Sequence, residues 1–185
     1  MKKVFCFVCL SMALASTGCA INAKYVVAEG LPTANLAIVA QADTQDVTAL
    51  YYNAFLLPDN RCPAVRKNML GARLIAKPRE EFPAVRIPAG APLMVGLTYQ
   101  DARFAQNREC GYQARFTPMP GEAYRLDFST TQDGRACRVA ITDAAGSPVP
   151  YEPADEVCLP SLHPDAVYVN GVGHDVIYDV RIQSY

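Results

Sequence analysis

Tryptophan is absent from the 185 residues, and histidine occurs only twice, at His163 and His174. That leaves little imidazole for a metal centre. No Cys-x-x-Cys pair follows Cys6 and Cys9, so neither a thioredoxin-like dithiol nor a zinc spacing is present beyond the first residues. There is no excess of positive charge: 17 Lys and Arg against 18 Asp and Glu give a net charge of −1, which lacks the footprint of a nucleic-acid binder. The catalytic signatures G-x-S-x-G, H-E-x-x-H and G-x-x-x-x-G-K are all missing. What is there is apolar, at 51% with only 19% charged residues, which excludes disorder over the whole length. With 14 Pro, 11 Gly and 10 Tyr, the composition suits short strands and many turns, and the length suits one domain behind a short targeting segment.

Met1-Lys2-Lys3 is a positive start, Val4 to Leu14 is an apolar run broken only by Ser11, and Ala15-Ser16-Thr17-Gly18-Cys19 supplies small residues after it. This is the grammar of a secretory signal, with an apolar core shorter than the ~20 residues a membrane-spanning helix needs. Ser16-Thr17-Gly18-Cys19 resembles the lipobox of bacterial lipoproteins, with Ser16 where that family prefers Leu. The resemblance implies cleavage after residue 18, a diacylglyceryl thioether on Cys19, and an acylated new amino terminus. Ala20 in the next position implies sorting to the outer membrane. The other reading is an ordinary signal cut near Ala20 or Ala23. Several acyl chains hold a protein stably where one binds only marginally. Cleavage removes Lys2 and Lys3 and no acid, so the remainder carries −3. Residues 1–18 are therefore read as the signal, 19–33 as lipidated cysteine and tether, and 34–185 as the folded domain.

Of seven cysteines, two leave with the signal and one takes lipid; Cys62, Cys110, Cys137 and Cys158 remain. An even number in an exported chain reads as two disulfides. Three connectivities exist. Cys110–Cys137 with Cys62–Cys158 is favoured, because Cys110 and Cys137 occupy core-facing strand positions and the other two lie at loop edges. If both strands flanked a third in one sheet, their Cα atoms would be about 9.5 Å apart, twice the strand spacing. A disulfide needs less than ~7 Å, so the pair has to bridge two sheets or sit at a bulge.

Alternation dominates the rest of the chain. Leu36, Ile38 and Ala40 predict a strand, and residues around Tyr51 to Leu57 a second, although Val47, Leu50, Tyr51, Ala54 and Phe55 also fit a helical stripe. Leu70 to Ala76 alternates, and Pro78 to Glu81 is expected as a charged break. Val85 and Ile87 begin a further strand, and Leu93, Val95, Leu97 and Tyr99 share a face of the next, with Asp101 to Glu109 as a polar loop. The strongest pattern follows: Cys110, Tyr112, Ala114 and Phe116, then Tyr124, Leu126 and Phe128, then Cys137, Val139 and Ile141. It predicts a three-stranded antiparallel meander. Gly146 to Pro164 reads as a loop tied down by Cys158, and a closing hairpin turns at Asn170-Gly171-Val172-Gly173. The fold class is all-β: an antiparallel β-sandwich of the immunoglobulin or transthyretin type.

Candidate chemistry is sparse. His174-Asp175, beside Gly171 and Gly173, is a His next to a carboxylate on a turn, with Ser147 or Ser161 as the nucleophile a catalytic set would need; adjacency in sequence does not supply that geometry, and a solvated turn pair is the plainer reading. Arg115, Arg125 and Arg138 would line one outer sheet face, and Tyr51, Tyr52, Tyr112 and Tyr124 read as packing. An open edge strand would offer a partner somewhere to pair.

The pattern Cys110-x5-Phe116-x-Pro118-x2-Gly121-x2-Tyr124 with Cys137-x-Val139-x-Ile141, preceded by Ile87-Pro88-Ala89-Gly90, is similar to a set of small cell-envelope lipoproteins of Gram-negative bacteria. That resemblance covers about a third of the chain and implies an envelope protein without implying an activity. The functional expectation is a non-enzymatic lipoprotein facing the periplasm from the outer membrane. It acts as a binding or assembly module with a protein partner in the envelope, no metal or other cofactor and no nucleic acid. The alternatives are an inhibitor or immunity protein against a hydrolase, and an envelope hydrolase using His174.

Overall fold

The structure, a computed structural model, describes residues 20–21, 25–44, 48–57, 68–103, 106–158 and 167–177. The signal segment, Cys19, Cys62, Ser161 and His163 lie outside the described residues. Among the described residues every regular element is a strand. They are β1 (Ala20–Ile21), β2 (Thr33–Gln41), β3 (Ala49–Leu57), β4 (Met69–Leu74), β5 (Arg79–Pro88), β6 (Leu93–Ala102) and β7 (Gln106–Phe116). After these come β8 (Ala123–Thr131), β9 (Ala136–Asp143), β10 (Glu152–Pro153), β11 (Glu156–Cys158), β12 (Val167–Val169) and β13 (Gly173–Ile177).

Two sheets carry the fold. Sheet A runs β1-β4-β3-β6-β7-β10, with β13 also on β7, and sheet B runs β5-β2-β8-β9; β11 and β12 form a separate pair. Pairing is antiparallel throughout except between β2 and β8, which run parallel. The inward residues of both sheets join one core. Leu36, Ile38, Leu126 and Phe128 come from sheet B, and Tyr52, Leu97 and Tyr99 from sheet A, all fully enclosed. Each such side chain contributes roughly 1.5–3 kcal/mol by leaving water. Period-2 alternation explains why: the opposite face of β8 and β9 carries Arg125, Asp127, Arg138 and Ala140 toward solvent.

The expected meander is only half present. β8 and β9 pair as a hairpin, but β7 belongs to sheet A, so the turn after Phe116 crosses between sheets. Alternation reports which face of a strand is buried and says nothing about which sheet supplies the neighbour. The crossing is held by Tyr124, whose hydroxyl accepts a hydrogen bond from Met119 N at 2.8 Å. It places Cys110 and Cys137 on facing sheets, with Cα atoms 6.1 Å apart and a disulfide between them. On the chain-entropy account, closing that 27-residue separation adds about 3–4 kcal/mol.

Two other expectations change. Residues 79–81 are not a break: β5 begins at Arg79 and pairs Arg79 to Glu81 with Gln41 to Val39. Charged residues are stable there because β5 is an edge strand, with Arg79 and Glu81 exposed while Phe82 and Ile87 face the core. The segment around Tyr51 is the expected strand, β3: Tyr52, Ala54 and Leu56 face the inter-sheet core, and Phe55 and Leu57 pack with Met94 and Cys158 on the other face, which is why its end reads as a continuous apolar run. Part of the expected tether is laid against sheet A, with Ala20–Ile21 paired to Arg73 and Ala72, and Tyr25 N bonded to Met69 O. The thiol of Cys158 is not free, and it packs with Phe55, Leu57 and Met94 on the outer face of sheet A. No helix among the described residues is long and apolar enough to cross a membrane.

Candidate functional site

Within the stretch expected as a polar loop, Asp101 and Ala102 end β6 and residues 106–109 begin β7, with Asp101 paired to Arg108 and with Asp101, Arg108 and Glu109 buried. Asp101 has no exposed surface; it accepts hydrogen bonds from the Tyr99 hydroxyl at 2.6 Å and from Arg103 Nη2 at 2.7 Å. Arg103 also grips the Asp133 carboxylate with two bonds of 2.8 Å. Arg108 donates to Asp175 Oδ1 at 2.6 Å and to the carbonyl of Asp133. Asp133 reaches both arginines because Gln132, Asp133 and Gly134 all take left-handed backbone angles, with φ of 54°, 58° and 80°. Burial first, and the Asp101 carboxylate second, push the Tyr99 hydroxyl pKa up. The hydrogen bond from Arg108, and then its charge, hold the Asp175 carboxyl below its ordinary value.

This cluster ties the β6–β7 turn, the β8–β9 turn and β13 together at one end of the molecule. Its charges are spent on one another, which makes it a latch rather than a binding site. Asp175 belongs to the latch and not to His174. The His174 ring rests on Tyr168, with centroids 4.8 Å apart, and its Nε2 is buried without a hydrogen-bond partner. Ser147 lies in the turn after β9, where its N–H donates to Asp143. The three candidate arginines do not share a face. Arg125 chelates Asp127 and Arg138 donates to Ser129 Oγ on sheet B, whereas Arg115 stands on the outer face of sheet A. Tyr52 and Tyr124 are core residues, as their spacing predicted.

The edges offer little to a pairing partner. β4 is covered by β1, and β5 is broken by a bulge that contains Pro83, which has no N–H to offer. The free side of β7 is occupied along its length: β13 pairs with residues 106–110, Gly171 N bonds Gly111 O, and Ala154 N bonds Gln113 O. Asn170 fills the remaining gap as a strand would, accepting from Gln113 N at 2.8 Å and donating to Gln113 O at 3.0 Å.

The feature that remains open is a cleft of about 550 Å³ on the outer face of sheet A, between β6–β7 and the segment Glu152–Glu156. Met94, Gln113, Arg115, Glu152, Asp155 and Glu156 line it, with Glu152 the direct cross-strand neighbour of Arg115. Gly96 shapes the floor, since any side chain there would collide with the Phe55 ring and the Gln113 stem. Gln113 is 3% exposed, and its Nε2 is sealed without a hydrogen-bond partner. Among the described residues none of the four charged groups around the cleft is ion-paired. A second hollow of about 340 Å³ adjoins it, sharing Arg115 and Glu152, with apolar walls from Pro92, Phe116, Val149, Pro150 and Tyr151. No grouping of His, Cys, Asp and Glu among the described residues suits a metal ion. No alternation rule finds this site: Gln113 reads in sequence as an ordinary outward strand residue, and only folding shows what covers it. The chain matches no protein-family profile, no curated protein and no solved structure.

Proposed function

We propose that this chain is an exported lipoprotein, anchored through Cys19 to the periplasmic face of the outer membrane and presenting its β domain as a binding module. The observation that carries export is the Cys110–Cys137 disulfide, buried between the two sheets. Such a bond persists in an oxidising compartment and is rare in a reducing one. It agrees with the signal grammar of residues 1–19. We assign Cys62 as the partner of Cys158, whose thiol is not free, and read the two sheets as a sandwich of the immunoglobulin or transthyretin type. The module binds through its cleft rather than an edge, because the free side of β7 is occupied and the β5 edge is broken by the Pro83 bulge, while Arg115, Glu152, Asp155 and Glu156 line the cleft without an ion pair among the described residues.

Metabolic labelling with radioactive palmitate tests the anchor. The parent chain takes the label and fractionates with outer membrane, and Cys19→Ser takes none. Equal labelling of both, or none of either, overturns the anchor. The hydrolase reading gains no support from the geometry at His174, since the adjacent carboxylate is committed to Arg108.

A further inference from the structure

Asn170 is the one asparagine of the chain that is followed by glycine. At an Asn-Gly pair the backbone attacks the side chain most readily, because glycine has no Cβ to hinder the attacking nitrogen. The fold nevertheless demands both residues. Gly171 has a φ of 76°, and a Cβ on it would stand 2.9 Å from Cys137 O. Asn170 is a rivet joining the β12–β13 turn to β7 and to the segment between β10 and β11. Its Oδ1 accepts from Gln113 N at 2.8 Å, and its Nδ2 donates to Gln113 O at 3.0 Å and to Ala154 O at 2.7 Å. A side-chain amide carries that acceptor and those two donors on separate atoms.

The same contacts keep the pair from reacting. Gly171 N, the attacking atom, donates to Gly111 O at 2.9 Å, and Asn170 N donates to Asp155 O at 3.1 Å. Attack requires Gly171 N to leave its carbonyl and the Asn170 side chain to leave its partners. We propose that Asn170 is a deamidation site, closed in the folded protein and exposed when the β12–β13 turn unclasps from β7, so that the reaction makes unclasping irreversible. Water is the only co-reactant. Gly171 N loses its proton and bonds to Asn170 Cγ, the Cγ–Nδ2 bond breaks, and Nδ2 leaves with that proton as ammonia. Water then opens the succinimide at either carbonyl, giving aspartate or isoaspartate at position 170. A carboxylate there only accepts, and it meets Gln113 O and Ala154 O where the amide had donated. Isoaspartate also adds a carbon to the main chain. Neither product closes the rivet again. The inference goes beyond the binding-module reading and depends on neither the lipid nor the cleft.

Peptide mapping by mass spectrometry tests it on the full chain in detergent, with disulfides intact, held in mildly alkaline buffer with and without denaturing urea. Deamidation at Asn170 is about tenfold or more faster in urea than in the folded protein, and in urea it outpaces Asn35 and Asn107, which precede leucine and arginine. After the urea is removed, the converted fraction stays unclasped, with faster amide exchange at Gln113 and Cys137, whose N–H groups bond Asn170 and Gly171. Asn170→Asp shows the same fast exchange and a lower urea midpoint. Equal rates at Asn170 with and without urea overturn the inference, because the folded contacts then shield nothing. A rate in urea no higher than at Asn35 and Asn107 overturns it too, as does parental exchange at Gln113 in the converted fraction or in Asn170→Asp. The rate comparison uses the parent chain alone, so it decides even where Asn170→Asp does not fold.

Discussion

Asp101 holds the β6–β7 end of the molecule, as the one carboxylate of the latch with no exposed surface. Its partners are the Tyr99 hydroxyl, the Arg103 guanidinium and the Arg108 backbone N–H. Asp101→Ala strands a buried hydroxyl and leaves Arg103 with half its bidentate contacts. The expected cost is about 3–5 kcal/mol in urea unfolding, and a loss below about 1 kcal/mol would refute the role. Asp175 acts at the rim. Its folded-state pKa lies below the ordinary 3.8, so its stabilisation is complete above that value and fades as acid carries the pH down through the lower folded-state value. Asp175→Asn therefore lowers the urea midpoint at pH 6, and the gap from the parent closes progressively below pH 3.8. A gap constant across that range would contradict the ion pair with Arg108. None of this was legible in the sequence, where residues 101–109 look like any polar loop. The charges are complementary only after β13, distant in the chain, is laid beside β7.

At the scale of elements, alternation predicted most of the strands, because one-sided burial imposes a period of two on the chain itself. Leu36 to Ala40, Leu93 to Tyr99 and the three cysteine-bearing and tyrosine-bearing strands after them are all found. Neighbour relations were not legible: β7 was expected beside β8 and lies in the other sheet. The spacing limit on a disulfide already pointed that way, since Cys110 and Cys137 can bond only across sheets or at a bulge. The turn Asn170-Gly171-Val172-Gly173 was legible as a turn and not as a clasp. Gly173 N bonds Arg135 O at 2.8 Å, and a Cβ on Gly173 would stand 2.3 Å from Gly134 O. Backbone on both sides prevents relief by side-chain rotation. Gly173→Ala is expected to lower stability by several kcal/mol, on the scale of about 2–4, and to open the β8–β9 turn to amide exchange. Wild-type exchange at Cys137 and Arg135 in that variant would argue against the clasp.

The whole molecule is two sheets sharing one core, closed at one end by a disulfide and a charge latch, with a polar cleft on the outer face of sheet A. Ala20 and Ile21 pair with the β4 edge of sheet A. In the sheet order β7 and β10, which border the cleft, are at the far end from β1 and β4. The most direct measurement of the central claim is the intact mass of the protein recovered unreduced from cell membranes. The account predicts a chain beginning at Cys19, heavier by its acyl groups and lighter by two hydrogens for each disulfide. A polypeptide of unmodified mass beginning at Met1, with all its thiols reduced, would contradict it.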